Sequence, residues 1–144
     1  MTESHVSYEH ANVDTKRTDQ QWYEMGQRQE TVYIAGPVSL GNWMENLRFA
    51  LDAGEEIARA GFLPLVPHTS MMWEFAHPGH PYQFWLYRIT LPWIKKCDHL
   101  VRIPGVSKGA YAEVSFAQKE GVPVYFSVEE FLEKNKDKID RGWY

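Results

Sequence analysis

The chain carries a single cysteine, Cys97, so no internal disulfide can form, and a reducing compartment is expected. Lysine and arginine never cluster into a run and the net charge is −4, which argues against an electrostatic grip on nucleic acid. Free nucleotides stay within reach, because a helix N-terminus and backbone amides bind one phosphate without a basic patch. Neither a membrane-length apolar run nor a signal-peptide pattern occurs, so no membrane partner is expected and the cytoplasm is the expected location. Internal repeats are absent too. The 144 residues, 44% of them hydrophobic, suffice for one sizeable core and are too few for two domains.

What is present is an alternation of strand and helix patterns. Residues 1–30 are polar without a sustained apolar period, and are expected to form a flexible arm with one short helix around Asp19–Arg28. Trp22, Tyr23 and Met25 would let that helix dock on the body or on another subunit. Thr31–Ala35 reads as a strand, Trp43–Ala60 as a helix closed by Gly61, and Phe62–Val66 as a strand that Pro64 demotes toward an edge. Phe84–Lys96 reads as a helix, Leu100–Ile103 as a strand, Ala110–Glu120 as a helix, Pro123–Phe126 as a strand and Val128–Lys134 as a helix. This order predicts an α/β fold, a doubly wound parallel sheet in a single domain over residues 31–134, with a tail at 135–144. Pro67–Tyr82 is expected to be a long irregular connection over the sheet's C-terminal edge, where Trp73, Phe75 and Tyr82 would stack on a base or seal the core.

The most informative stretch is Ser107-Lys-Gly-Ala-Tyr-Ala-Glu113, between a strand and a helix. It puts a small-residue turn and a carboxylate at the strand's C-terminal end, where open α/β sheets bind ligands. Gly36-Pro-Val-Ser-Leu-Gly41 is a second such turn on the same edge. A glutamate in a helix's first turns is favoured by the dipole alone, so Glu113 has a plain reading beside a catalytic one. Gly109, Ala110 and Ala112 leave room for a ligand near the backbone. Asp98 is either a partner for a sugar hydroxyl or a solvated turn. His77 and His80 read as loop histidines, and no metal site is expected.

Together these motifs resemble the nucleoside 2-deoxyribosyltransferase superfamily, which includes the 2′-deoxynucleoside 5′-monophosphate N-glycosidases and the CMP hydrolases. The resemblance rests on Val32-Tyr-Ile-Ala-Gly-Pro37, Pro67-His68, Lys95-Lys-Cys-Asp98, Ser107–Glu113 and Gly121-Val-Pro-Val124, in that order from about Thr31 to Phe131. It is nearest to the short, phage-rich branch, which would place the chain in a host cytoplasm. It implies a flavodoxin-like (Rossmann-like) sheet, assembly as a homodimer or larger homo-oligomer, a small-molecule nucleotide substrate and no cofactor.

It also implies site residues. Glu113 falls on the family's nucleophile, which attacks the anomeric carbon and expels the base, and Tyr33 on the tyrosine that orients it. Gly36, Pro37 and Ser39 match the first substrate loop, and Gly109 and Ala110 the small residues beside the sugar. His68, Trp73 and Asp98 complete the expected substrate contacts.

Two positions depart from the transferase pattern. Ser107 stands where transferases carry aspartate, as in the monophosphate glycosidases, so a 5′-phosphate is expected there; an N-cap is the plain reading. Thr90 replaces an aspartate that serves the leaving base, which leaves His68, Glu74 and Asp98 as candidate proton donors. A terminal tyrosine reaches the site in some relatives, and Tyr144 is either that or an apolar tail. The expected activity is hydrolysis of a (deoxy)nucleoside 5′-monophosphate. Base exchange, cleavage of NAD in a larger site, and nucleotide binding without turnover are the alternatives.

Overall fold

The computed structural model describes residues 15–142; the first part of the expected arm and Tyr144 lie outside the described residues. Helix α1 (Asp19–Gln27) opens on a capping box in which Thr18 and Gln21 satisfy each other's backbone N–H groups. It has no buried residue, and Arg17 lies over the Trp22 ring at 4.9 Å. Strand β1 (Thr31–Ala35) leads to α2 (Trp43–Arg59), then β2 (Leu63–Leu65), α3 (Ser70–Ala76), α4 (Leu91–Lys95), β3 (His99–Arg102), α5 (Lys108–Lys119), β4 (Val124–Tyr125) and α6 (Val128–Lys134). The strands form one all-parallel sheet in the order β2-β1-β3-β4, flanked by helices on both faces, consistent with a flavodoxin-like fold. β2 lies at an edge, as Pro64 requires. Among the described residues no helix is long and apolar enough to cross a membrane.

Side-chain alternation along β1 explains how two cores form. Val32 and Ile34 pack with Ala50, Ala53 and Ile57 of α2 and Phe131 of α6. Tyr33 and Ala35 point to the other face and pack with Ile94 of α4, Leu100 of β3 and Ala110 and Ala117 of α5. Each aliphatic side chain fully buried this way stabilises the fold by roughly 1.5–3 kcal/mol. The second face is where Tyr33, whose tip is a hydroxyl, meets the helix that carries Glu113.

The connection after β2 is more ordered than its composition suggests. Pro67–Thr69 forms a 3-10 turn that runs directly into α3. The Ser70 hydroxyl donates to the Pro67 carbonyl at 2.6 Å and the Thr69 hydroxyl to the Val66 carbonyl at 2.8 Å. α3 buries none of its residues, so it leaves no apolar period to read. Phe84–Thr90, expected to be α-helical, is instead a π-helical stretch ahead of α4. Pro92 has no N–H to give the Arg88 carbonyl, so the α-helical ladder is interrupted where the two meet.

Three loops lock together at the sheet's C-terminal edge. A Cβ on Gly36 would fall 2.4 Å from Ile103 Cγ1, so the backbone after β1 packs directly on the side chain that follows β3, with no room for a side chain of its own. Gly105, at φ 123°, leaves no room for a Cβ beside Pro37 either, the nearest atom being Pro37 Cγ at 2.4 Å. His68 Nε2 meets the Pro37 carbonyl at 2.9 Å and ties in the loop after β2. Gly105→Ala therefore adds both a clash and a left-handed alanine, and is expected to destabilise the fold by about 2 kcal/mol or more in urea unfolding. Wild-type stability in that variant would mean the loops are not interlocked.

Candidate active site

The helical stripe that α5 turns to the sheet is Ala110, Glu113 and Ala117, at i, i+3 and i+7. A carboxylate on that stripe is carried into the core as a consequence of helix geometry. Glu113 is only 9% exposed, and Tyr33, which faces it from the centre of the sheet, is wholly buried. The Tyr33 hydroxyl donates to Glu113 Oε2 at 2.9 Å across 80 positions of sequence.

Burial pushes the Glu113 pKa up to about 7; the Tyr33 hydrogen bond, the positive charge of Arg102 and the Thr90 hydroxyl pull in the opposite direction. Burial, then the adjacent Glu113 charge, raises the Tyr33 phenol well above its ordinary range. The pair is thus a tyrosine that keeps its proton and a carboxylate poised near neutrality. Thr90, itself buried, donates its hydroxyl to the Leu86 carbonyl at 3.1 Å at the end of the π-helical stretch.

The residues that match the substrate loops collect at the same edge. Gly36 and Pro37 are buried and Ser39 is exposed on a loop that Asn46 Nδ2 holds through the Val38 and Leu40 carbonyls at 3.1 and 2.8 Å. Ser107 is the N-cap of α5, its Oγ accepting from the Ala110 N–H at 3.0 Å. Its hydroxyl proton has no acceptor among the described residues. The space above Gly109 is open, Ser107 Oγ at 3.8 Å being the nearest atom to a built Cβ. Beside this turn lies a shallow cleft of about 530 Å³ lined by Arg102, Gly105, Val106, Ser107, Lys108 and Tyr111. Glu113 is not among the residues that line it.

Other expected site residues are employed elsewhere. Asp98 lies at the opposite, N-terminal edge of the sheet, where its Oδ2 accepts from the Thr31 N–H at 2.9 Å and the Thr31 hydroxyl at 3.2 Å. It closes the start of β1 onto the start of β3 and is not brought together with Glu113. Glu74 is occupied by the Gly79 N–H, His80 Nδ1 and Trp85 Nε1, at 2.7, 3.0 and 2.9 Å, and its carboxyl is held below the ordinary value, chiefly by Gly79. His80 is thereby a loop-ordering residue. Trp73 packs edge-on against Trp85 with ring centroids 5.0 Å apart and keeps 42% exposure. His68 is fully buried, and burial lowers its pKa, so Nε2 carries the proton that Pro37 accepts.

The chain belongs to the family described as Domain of unknown function (DUF4406). The match spans residues 30–126, from the residue before β1 to the one after β4, and so takes in Tyr33, Thr90, Arg102 and Glu113. No curated protein matches the chain.

Within this DUF4406 domain, Arg102 is the neighbour that motif reading overlooked. It ends β3 on the Tyr33 face, and its guanidinium donates to the Ile103 carbonyl and, at 2.5 Å, to the Gly105 carbonyl. That bracing holds the turn leading to Ser107, and the charge acts on Glu113. An arginine closing an otherwise buried strand run, His99-Leu-Val-Arg-Ile103, is the sequence signal that would have found it.

As a neutral acid Glu113 favours the fold, an effect complete below its ordinary pKa of 4.5 and lost as pH rises through about 7. Glu113→Gln never ionises. The variant is expected to gain stability over wild type by about 2–3 kcal/mol between pH 5 and pH 8 in urea unfolding. A constant difference across that range would mean the carboxylate is not buried.

Proposed function

We propose that this DUF4406 domain hydrolyses the N-glycosidic bond of a (deoxy)nucleoside 5′-monophosphate through a glycosyl ester on Glu113, releasing free base and sugar phosphate. The observation that carries the reading is the buried 2.9 Å hydrogen bond from Tyr33 to Glu113 Oε2, beside an open turn at the ligand-binding edge of the sheet. Tyr33 holds Oε2 and orients the group, and Oε1 is the oxygen that attacks the anomeric carbon. As the C1′–O bond forms, the C1′–N bond breaks and its electron pair leaves with the base. Positive charge that builds on the sugar in between is stabilised by the same carboxylate. Water then attacks C1′ of the ester, its proton passes to solvent, and Glu113 returns as a carboxylate.

The cleft beside the turn suits the 5′-phosphate. Arg102 and Lys108 line it together with Ser107, whose hydroxyl still has a proton to donate. No carboxylate lies within salt-bridge distance of Lys108 among the described residues, so that cation is open to an incoming dianion. A free nucleoside would leave that charge unmatched.

Only ionised Glu113 is a nucleophile, so kcat/KM should rise with pH through a limb near 7. Chromatographic detection of released base is expected to show monophosphates cleaved and nucleosides left intact. Glu113→Gln should lower the rate at least about 10³-fold. Tyr33→Phe, which loses a hydrogen bond to a charged group, should lower it about 10–100-fold. Release unchanged in Glu113→Gln would sink the proposal, and turnover only in the presence of a second base would make the enzyme a transferase.

A further inference from the structure

Arg102 serves two neighbours at once. The register of the β1–β3 pair sets Tyr33 beside Leu100 and Ala35 beside Arg102, so Leu100 and Arg102 turn to the Tyr33 side of the sheet. Leu100 packs there with Tyr33, Ala110 and Ala117, the small residues that flank Glu113 on α5. From that side the Arg102 charge acts on the Glu113 carboxylate. The same side chain lines the cleft of about 530 Å³ together with Ser107 and Lys108. Its N–H contacts with the Ile103 and Gly105 carbonyls hold the guanidinium at this junction.

One positive charge so placed does not serve two anions independently. An anion in the cleft offsets the guanidinium and adds its own negative potential, which favours the neutral form of Glu113. Ionised Glu113 in turn weakens the hold of the cleft on an anion. The two effects are one coupling free energy and are equal in size.

We infer, on the reading of Glu113 as nucleophile, that Arg102 is the specificity-determining residue through which a 5′-phosphate speeds formation of the glycosyl ester. In the starting complex the phosphate and the Glu113 carboxylate compete for one guanidinium. When Oε1 bonds to C1′, the C1′–N bond breaks and its electron pair leaves with the base, carrying the negative charge away from Glu113. The competition then ends, because the ester is neutral and Arg102 is left to the phosphate. Phosphate binding is therefore stronger at the ester than in the starting complex, and the part gained by the transition state lowers the barrier. A free nucleoside gains nothing from this exchange.

The other groups around the carboxylate leave the coupling measurable. Tyr33 of β1 and Cys97, packed in the same core, are raised by burial and keep their protons near neutral pH. Lys108 and Tyr111 of α5 stand in the cleft. Lys95 of α4 pairs with Glu120 at the far end of α5 at 3.7 Å, and Arg88 of the π-helical stretch lies over the Phe84 ring at 5.4 Å. All of these are retained in Glu113→Gln, so that variant isolates the share of the carboxylate.

The test titrates the full chain with sulfate, a dianion throughout the range, and follows the amide NMR shifts of Ser107, Lys108 and Gly109 from about pH 5.5 to about pH 8. In wild type the affinity is expected to fall about fivefold or more as pH rises through about 7. Glu113→Gln carries the charge of the ester and should bind sulfate as tightly at the top of the range as wild type does at the bottom. Arg102→Gln should bind more weakly and lose the pH dependence, and Arg102→Lys, which keeps a charge, should recover part of both. For the monophosphate cleaved fastest by wild type, the kcat limb should lie at higher pH than the kcat/KM limb, a separation that a merely structural arginine would not produce. Sulfate affinity that is flat with pH in wild type, or that falls equally in Glu113→Gln, overturns the inference, as does a cleft that binds no sulfate. Any of these beside intact base release leaves the glycosidase reading standing. Coupling without base release from any monophosphate overturns both.

Discussion

Burying one carboxylate against one phenol is the constraint on which the arrangement depends. A charge taken out of water is costly unless hydrogen-bonded, and Glu113 meets that cost partly with the Tyr33 hydroxyl and partly by holding its proton up to about neutral pH. The bond is possible because two periodicities agree. Strand alternation turns Tyr33 to the α5 face, and helical spacing places Glu113 between Ala110 and Ala117 on the stripe facing it. Ala110 and Ala117 are small, which brings α5 close enough to the sheet for the contact. A single-residue slip of β1 would turn Tyr33 into the other core and leave the carboxylate unpartnered.

The rim around the pair is rigid for related reasons. Gly36 against Ile103, Gly105 against Pro37 and His68 on the Pro37 carbonyl allow no loop to move without its neighbours. Arg102 connects that rim to the buried pair, since it braces the Ile103–Gly105 backbone and also places positive charge near Glu113. A preorganised site of this kind does not spend binding energy on ordering its loops.

Much of the scaffold was legible in the residues. The β-branched run Thr31–Ala35, the helical period of Trp43–Arg59, the capping turn before α5 and Pro64 at an edge all act locally, and the parallel sheet follows from their alternation. Elements whose order comes from hydrogen bonds rather than apolar period were not legible. α3 has no buried face, and the π-helical turn reflects the missing N–H of Pro92 acting on residues before it. At the site, Tyr33 and Glu113 were each identifiable by type and position, but their contact spans the sheet. Asp98 was expected among the substrate contacts through the family resemblance, with a turn at the strand start as the alternative; a residue that starts a strand belongs to the edge opposite the one that holds Glu113, and there it meets Thr31. Arg102 was hidden because a lone charge in an apolar strand reads as a strand end, and only the folded turn shows what it braces.

Everything above turns on a Glu113 that is buried, poised near neutrality and held by Tyr33. Carbon-13 NMR titration of the Glu113 carboxyl, assigned by its loss in Glu113→Gln, measures this directly in wild type and in Tyr33→Phe. A midpoint at about 7 is expected in wild type and a higher one in Tyr33→Phe, because the hydrogen bond that favours the ionised form is gone. A midpoint near the ordinary 4.5, unmoved by Tyr33→Phe, would show a solvated carboxylate without that partner and would contradict the account.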